Sequence, residues 1–133
     1  MRSSLITRHS ALILFAHGAR DPEWADPFRA IAARVAADRA DLSVKLAFLE
    51  FQSPALADAI ADLVAGGHTT IHIAPLFMAQ GGHLKHDVPK LLVEIRGSQP
   101  ALTIELLPAI GDVADLRDAI ATWLTSAVPG ASA

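Results

Sequence analysis

The chain reads as a single α/β domain built on an open, four-stranded parallel sheet with helices on both faces. Three observations predict this. Its 133 residues suit one compact core, 52% of them are hydrophobic, and segments of strand and helix pattern alternate along the chain. Parallel neighbours require crossover helices, and right-handed crossovers place those helices on both sides of the sheet.

The first strand is the unbroken apolar run at 11–16, suited to burial on both faces. Residues 24–39 follow as a helix, with Phe28, Ile31, Ala32 and Val35 at helical spacing. Residues 43–49 form the second strand. Ser53-Pro54 reads as a helix start, Ser53 as N-cap and Pro54 in the first turn. Leu56, Ile60, Leu63 and Val64 make that helix's apolar stripe, and Gly66-Gly67 ends it. Residues 69–74 are a β-branched third strand, and a long loop, 75–86, comes next. The remaining elements are a helix at 87–96 with Val88, Leu91, Leu92 and Ile95 inward, a strand at 102–107, and a helix at 112–126. That last helix turns Leu116, Ile120, Trp123 and Leu124 to one face. A flavodoxin-like strand order, 2-1-3-4, is the preferred topology, with a Rossmann-like 3-2-1-4 as the alternative. The core is expected over 11–127, with a loose leader at 1–10 and a frayed tail at 128–133.

Composition excludes several functions. With no cysteine there is no disulfide, thiolate site or cysteine nucleophile, so any transition-metal site must use imidazole and carboxylate. A formal net charge of −3, with no block of like charge, argues against nucleic acid and anionic membranes as partners. Aromatic content of 5% argues against a base-stacking surface. No apolar run approaches the ~20 residues of a membrane helix. The 11–16 run is shorter than a secretory core and leads into His17-Gly18 rather than a cleavage motif, so a cytoplasmic protein is expected.

Ligands of open parallel sheets bind beyond the carboxyl ends of the strands, where the strand order reverses. Three polar groups fall there: His17 after strand one, Glu50 after strand two, and His83 after strand three. In the 2-1-3-4 order, His17 and His83 come from adjacent loops at the switch point. A neutral imidazole at that point can ligate a metal, or it can simply satisfy the loop's backbone groups. Glu50, flanked by Phe48-Leu49 and Phe51, is either a carboxylate in apolar surroundings that handles protons or one held by strand-end N–H groups. Arg20 either reaches an anionic substrate or pairs with Asp21 or Glu23.

Twelve residues make the third loop long for a strand-to-helix connection, and Gly81-Gly82 give it mobility before His83. Asp87 is the expected N-cap of the following helix. His86, three residues after His83, reads better as a solvated residue than as a second ligand. Phe77 and Met78 either line a pocket for a flat ring or close the core beneath the loop. His9, His68 and His72 look structural. Walker, GxGxxG, His-Glu-x-x-His and GxSxG signatures are absent.

Taken in order, Leu14-Phe15-Ala16-His17-Gly18-Ala19-Arg20-Asp21-Pro22, Ala47-Phe48-Leu49-Glu50, Ile73-Ala74-Pro75-Leu76-Phe77 and Gly82-His83-Leu84-Lys85-His86-Asp87-Val88-Pro89 resemble the small sirohydrochlorin chelatases, the CbiX/SirB-type class II chelatases. The resemblance spans roughly residues 11–125. Ala19 departs from it, standing where that family usually has serine. It implies an enzyme that inserts Co2+, Fe2+ or Ni2+ into sirohydrochlorin or a related tetrapyrrole. The metal would be a substrate at His17 and His83, with no permanently bound cofactor and Glu50 as a proton acceptor. Arg20, Lys85 and Lys90 would answer the substrate's carboxylates, and Phe77 and Met78 its ring. It also implies a homodimer, and the need to shield a broad, flat ring between two strand-end faces places the expected interface beside His17 and His83. The rival from another class is a non-catalytic metal carrier or tetrapyrrole-binding protein using the same histidines.

Overall fold

A computed structural model describes residues 10–130. Its strands are β1 (Ser10–Ala16), β2 (Ser43–Phe48), β3 (Thr70–Pro75) and β4 (Thr103–Leu106). Its helices are α1 (Asp26–Asp38), α2 (Leu56–Ala65), α3 (Gly82–Ser98) and α4 (Ala114–Ala127), with 3-10 turns at Pro22–Ala25 and Ile110–Asp112. All neighbouring strands are parallel, in the order β2-β1-β3-β4. That is the flavodoxin-like order, not the Rossmann-like one. β1 begins at Ser10, one residue earlier than expected. Residues 1–9, with His9, and 131–133 lie outside the described residues.

The alternation of side chains along β1 builds two cores. Ala11, Ile13 and Phe15 point into the main one, with Ile71, Ile73 and Ile104 from the sheet. Leu56, Ile60 and Leu63 of α2 and Val88 and Leu92 of α3 close it. On the opposite face Ala16 and Phe48 meet Ala25, Trp24 and Phe28 of the α1 region, with the Trp24 and Phe28 rings 4.8 Å apart. The α1 stripe is only partly realised, because Ile31 stays exposed.

Three expectations fail for physical reasons. Ser53 does not cap α2. The Pro54 carbonyl accepts from Phe48 N at 2.9 Å and Ala55 bridges Phe48, so 54–55 runs beside the end of β2 and the helix waits until Leu56. Asp87 does not cap α3, which starts five residues earlier than expected, at Gly82 behind Gly81, with Lys85 N donating to Gly81 O at 3.1 Å. Packing Leu84 against the core in line with Val88, Leu91 and Ile95 outweighs the proline at 89, which sits inside the helix. The expected twelve-residue loop is therefore six residues, 76–81. Finally, the apolar face of α4 joins no core: Leu116, Ile120, Trp123 and Leu124 are all exposed.

Candidate functional site

The site forms where β1, β2 and β3 end. Their carboxyl ends are stitched together: Leu49 N donates to Ala16 O at 2.9 Å, Glu50 N to His17 O at 3.1 Å, and Leu76 N to Phe15 O at 2.8 Å. Gly18 makes the first crossing possible. Its φ is +93°, and a Cβ there would stand 1.8 Å from Glu50 O. Only glycine lets the two strand ends approach this closely.

This backbone arrangement brings His17 and Glu50 together. His17 Nδ1 lies 3.7 Å from Glu50 Oε2, and the side chains are 52% and 47% exposed. Glu50 is thus neither buried among apolar groups nor held by strand-end N–H groups. It stands beside the imidazole at the rim of the sheet, because the chain turns out of β2 at this point and leaves Leu49 and Phe51 exposed as well. The Phe77 and His17 rings stand perpendicular to one another, 6.3 Å between centroids at 88°. Phe77 itself is buried and packs edge-on against Phe15 at 5.5 Å, so it closes the core beneath the loop. Met78 is exposed.

His83 lies in the first turn of α3, on the connection that leaves β3. Because β1 and β3 are neighbours, its backbone and that of His17 share the switch point of the sheet. His86, three residues on, is exposed. Lys85 lines a cleft of about 520 Å3 with Phe77, Gln80, Pro89 and Asp112, between α3 and the segment after β4. Lys90 lies further along α3, exposed. A smaller apolar slot of about 210 Å3 opens between α2 and α3, with Phe48, Leu49, Leu84 and Leu91 in its walls.

Arg20 takes neither of its expected acidic partners. Its guanidinium lies 5.0 Å from the centre of the Phe51 ring, a cation–π arrangement. Asp21 caps the 3-10 turn through Glu23 N at 2.9 Å. Two contributors had no sequence signal. Gln52 Oε1 accepts from Ala19 N at 3.2 Å and braces the His17 loop. Phe51 carries Arg20 and adopts φ 64°, a left-handed conformation that nothing in Glu50-Phe51-Gln52 announces.

Two further histidines, His68 and His72, are structural. His68 uses both ring nitrogens, on Leu63 O at 3.0 Å and Ser43 Oγ at 2.9 Å. His72 bonds Glu105 Oε1 at 2.8 Å, partly exposed rather than in the core. Among the described residues, no group of three or more His, Asp or Glu side chains is placed to hold a metal ion.

An open parallel sheet with an imidazole–carboxylate pair at its strand ends is an α/β arrangement of the kind that binds ligands across the strand ends. The chain belongs to the CbiX family, whose model matches residues 11–127. Among its relatives, a sirohydrochlorin cobaltochelatase of Saccharolobus islandicus (strain L.S.2.15 / Lassen #1) is 38% identical over 81 residues, 61% of this chain and 62% of that protein. One from Sulfurisphaera tokodaii is 39% identical over 92 residues, 65% of this chain and 70% of that protein. The match thus spans under two thirds of the Saccharolobus protein. Among solved structures, the CbiX protein of Marinobacter aquaeolei VT8 superposes with a TM-score of 0.76 at 27% identity, covering 89% of this chain and 96% of that one. SirB from Bacillus subtilis with Fe3+ gives 0.72 at 25% identity, covering 90% of this chain but 48% of that one. No helix among the described residues is long and apolar enough to cross a membrane.

Proposed function

We propose that the chain inserts a divalent metal ion, Co2+, Fe2+ or Ni2+, into sirohydrochlorin or a close relative, in the cytoplasm and as a homodimer. The observation that carries this reading is the His17–Glu50 pair at 3.7 Å, half exposed at the strand ends of a CbiX-family fold. The names of the relatives support cobalt among the three metals.

The carboxylate beside Nδ1 orients the His17 ring so that Nε2 is the nitrogen offered to the metal. His83, entering from the adjacent connection, supplies the second imidazole. Two neutral imidazoles hold a borderline metal without trapping it, as suits a metal that must leave. As the four tetrapyrrole nitrogens replace protein and water ligands, two pyrrolic protons depart for each divalent ion taken up. Glu50 accepts one, and His17, freed of metal, accepts the other; both side chains are exposed enough to pass protons on to water. Arg20, raised on Phe51, and Lys85, at the mouth of its cleft, answer the substrate's carboxylates. The exposed Met78 meets the ring, and Phe77 supports the His17 imidazole.

The test is direct. Metal-free protein is mixed with sirohydrochlorin and each metal in turn, and the absorbance change is followed over many equivalents of substrate. Turnover beyond one equivalent per chain is expected, fastest for the physiological metal. A change that stops at one equivalent would instead establish a carrier or binding protein.

A further inference from the structure

The turn after β2 holds a residue whose conformation and exposure are at odds with its type. Phe51 has φ 64°, in the left-handed region where a bulky side chain is an outlier. Gln52 N donates to Glu50 O at 2.8 Å across it, so Glu50-Phe51-Gln52 closes as a three-residue turn of the strained, positive-φ kind. Burial does not account for the phenylalanine, which is 57% exposed. Glycine or asparagine would take this backbone at lower cost.

The turn is fixed against the loop that follows β1. Glu50 N donates to His17 O at 3.1 Å, the Glu50 carbonyl packs on Gly18, and Gln52 Oε1 accepts from Ala19 N at 3.2 Å. Each residue of the turn thus has its own counterpart in the loop: Glu50 meets His17, Gln52 meets Ala19, and Phe51 meets Arg20, 5.0 Å from ring centre to guanidinium. With both ends of the turn tied down, Phe51 has little freedom to leave its strained conformation.

Arg20 is exposed, and among the described residues it has no carboxylate partner. A free arginine of this kind loses side-chain freedom when it takes hold of an anion, and that loss weakens binding. A ring against the guanidinium removes part of the freedom in advance. Unlike a carboxylate partner, the ring carries no net charge, so the cation keeps its full attraction for an anion.

We propose that Phe51 is a positioning residue for anion recognition: its ring, held by the strained turn, keeps Arg20 ready for a carboxylate arm of the tetrapyrrole. The inference rests on the tetrapyrrole reading for its ligand, but not on turnover. Its consequence is that position 51 gives up stability for affinity.

The test is a double-mutant cycle on the binding of metal-free sirohydrochlorin, read by the tetrapyrrole's fluorescence, with calorimetry of each variant. Phe51→Asn suits the left-handed turn and removes the ring, so its Tm should be no lower than that of the natural chain. Its affinity should fall about 2- to 5-fold, the size of an exposed cation–π contact. Arg20→Gln should cost about 10-fold or more, as loss of a charge-assisted contact does, and adding Phe51→Asn to it should cost nothing further. Phe51→Tyr, which keeps a ring face, should retain native affinity, and in turnover the Phe51→Asn loss should lie in KM rather than kcat. Additive losses in the double variant would mean that Phe51 touches the ligand by itself. A lowered Tm in Phe51→Asn would mean that the ring serves the fold. Either result overturns the proposal, as does a natural chain that binds no sirohydrochlorin. Binding without turnover leaves the proposal standing and refutes the chelatase reading alone.

Discussion

Gly18 should be the least replaceable backbone position of the site, and Gly67 provides its control. Both have φ +93°, but a Cβ on Gly67 would meet nothing within 4 Å, whereas one on Gly18 would overlap the Glu50 carbonyl at 1.8 Å. In either case alanine incurs the left-handed backbone cost of about 1–2 kcal/mol. Both also gain the same ~0.4–1 kcal/mol from a less flexible unfolded chain. The difference therefore isolates the clash. To restore ordinary contact at 3.4 Å the strand ends must part by about 1.6 Å. That breaks the Glu50 N–His17 O bond and strains Leu49 N–Ala16 O, at about 1 kcal/mol each.

Gly18→Ala should thus lose about 3 kcal/mol, or about 10 °C in Tm for a domain of this size, and Gly67→Ala less than half of that. Activity should separate the two further. Parting the strand ends moves His17 from Glu50 by more than 1 Å, a displacement that costs about 100-fold in rate where geometry is catalytic. Calorimetry and the sirohydrochlorin absorbance assay read both effects. Equal Tm losses in the two variants, or a native insertion rate in Gly18→Ala, would refute the reasoning.

Other substitutions test the site piece by piece. His17→Ala and His83→Ala should each abolish most metal insertion with Tm nearly unchanged, and His86→Ala should do less; near-native turnover in either of the first two removes it from the metal site. Gln52→Ala frees Ala19 N and loosens the His17 loop, for a rate loss of up to about 10-fold at ~1 kcal/mol per hydrogen bond, while Gln52→Glu, which keeps the acceptor, should restore most of it. Metal loading without tetrapyrrole should release protons and weaken in acid, since imidazole binds metal only as the neutral base; affinity independent of pH would speak against histidine ligation. Away from the site, the Arg39 guanidinium on both oxygens of Asp41 holds that carboxyl at about 2 instead of 3.8. Because the folded value is the lower one, this pair's small contribution is whole above about pH 4 and fades as pH falls toward 2. An NMR titration of Arg39→Ala should find Asp41 back in the ordinary carboxylate range.

The strand order was legible because it follows from short apolar runs separated by amphipathic segments, and chirality leaves few ways to connect them. The start of α3 was not, since Pro89 and Asp87 are local signals for a later start while the burial of Leu84 is a tertiary one. Ser53-Pro54 failed in the same way: the dipeptide carries a helix-start pattern, but Phe48 claims the Pro54 carbonyl first. The positions of His17 and Glu50 at strand ends follow from the chain, whereas their 3.7 Å approach depends on a glycine crossing between β1 and β2 that no local pattern announces. The Phe51 platform and the Gln52 brace lie beyond any pattern, being single side chains in a turn without glycine or proline at its strained residue.

The largest departure, the bare stripe of α4, is informative because the sequence reading was locally right. Leu116, Ile120, Trp123 and Leu124 do form one helical face, as their spacing demands, yet among the described residues that face stays exposed. Periodicity reports that a helix has a buried side and is silent on which molecule buries it. A core position and an interface position obey the same rule in sequence and differ only in whose sheet lies opposite. The half-covered Leu12–His72–Glu105 row on β1, β3 and β4 makes the complementary point from the sheet, where alternation assigns a face but supplies no helix to cover it.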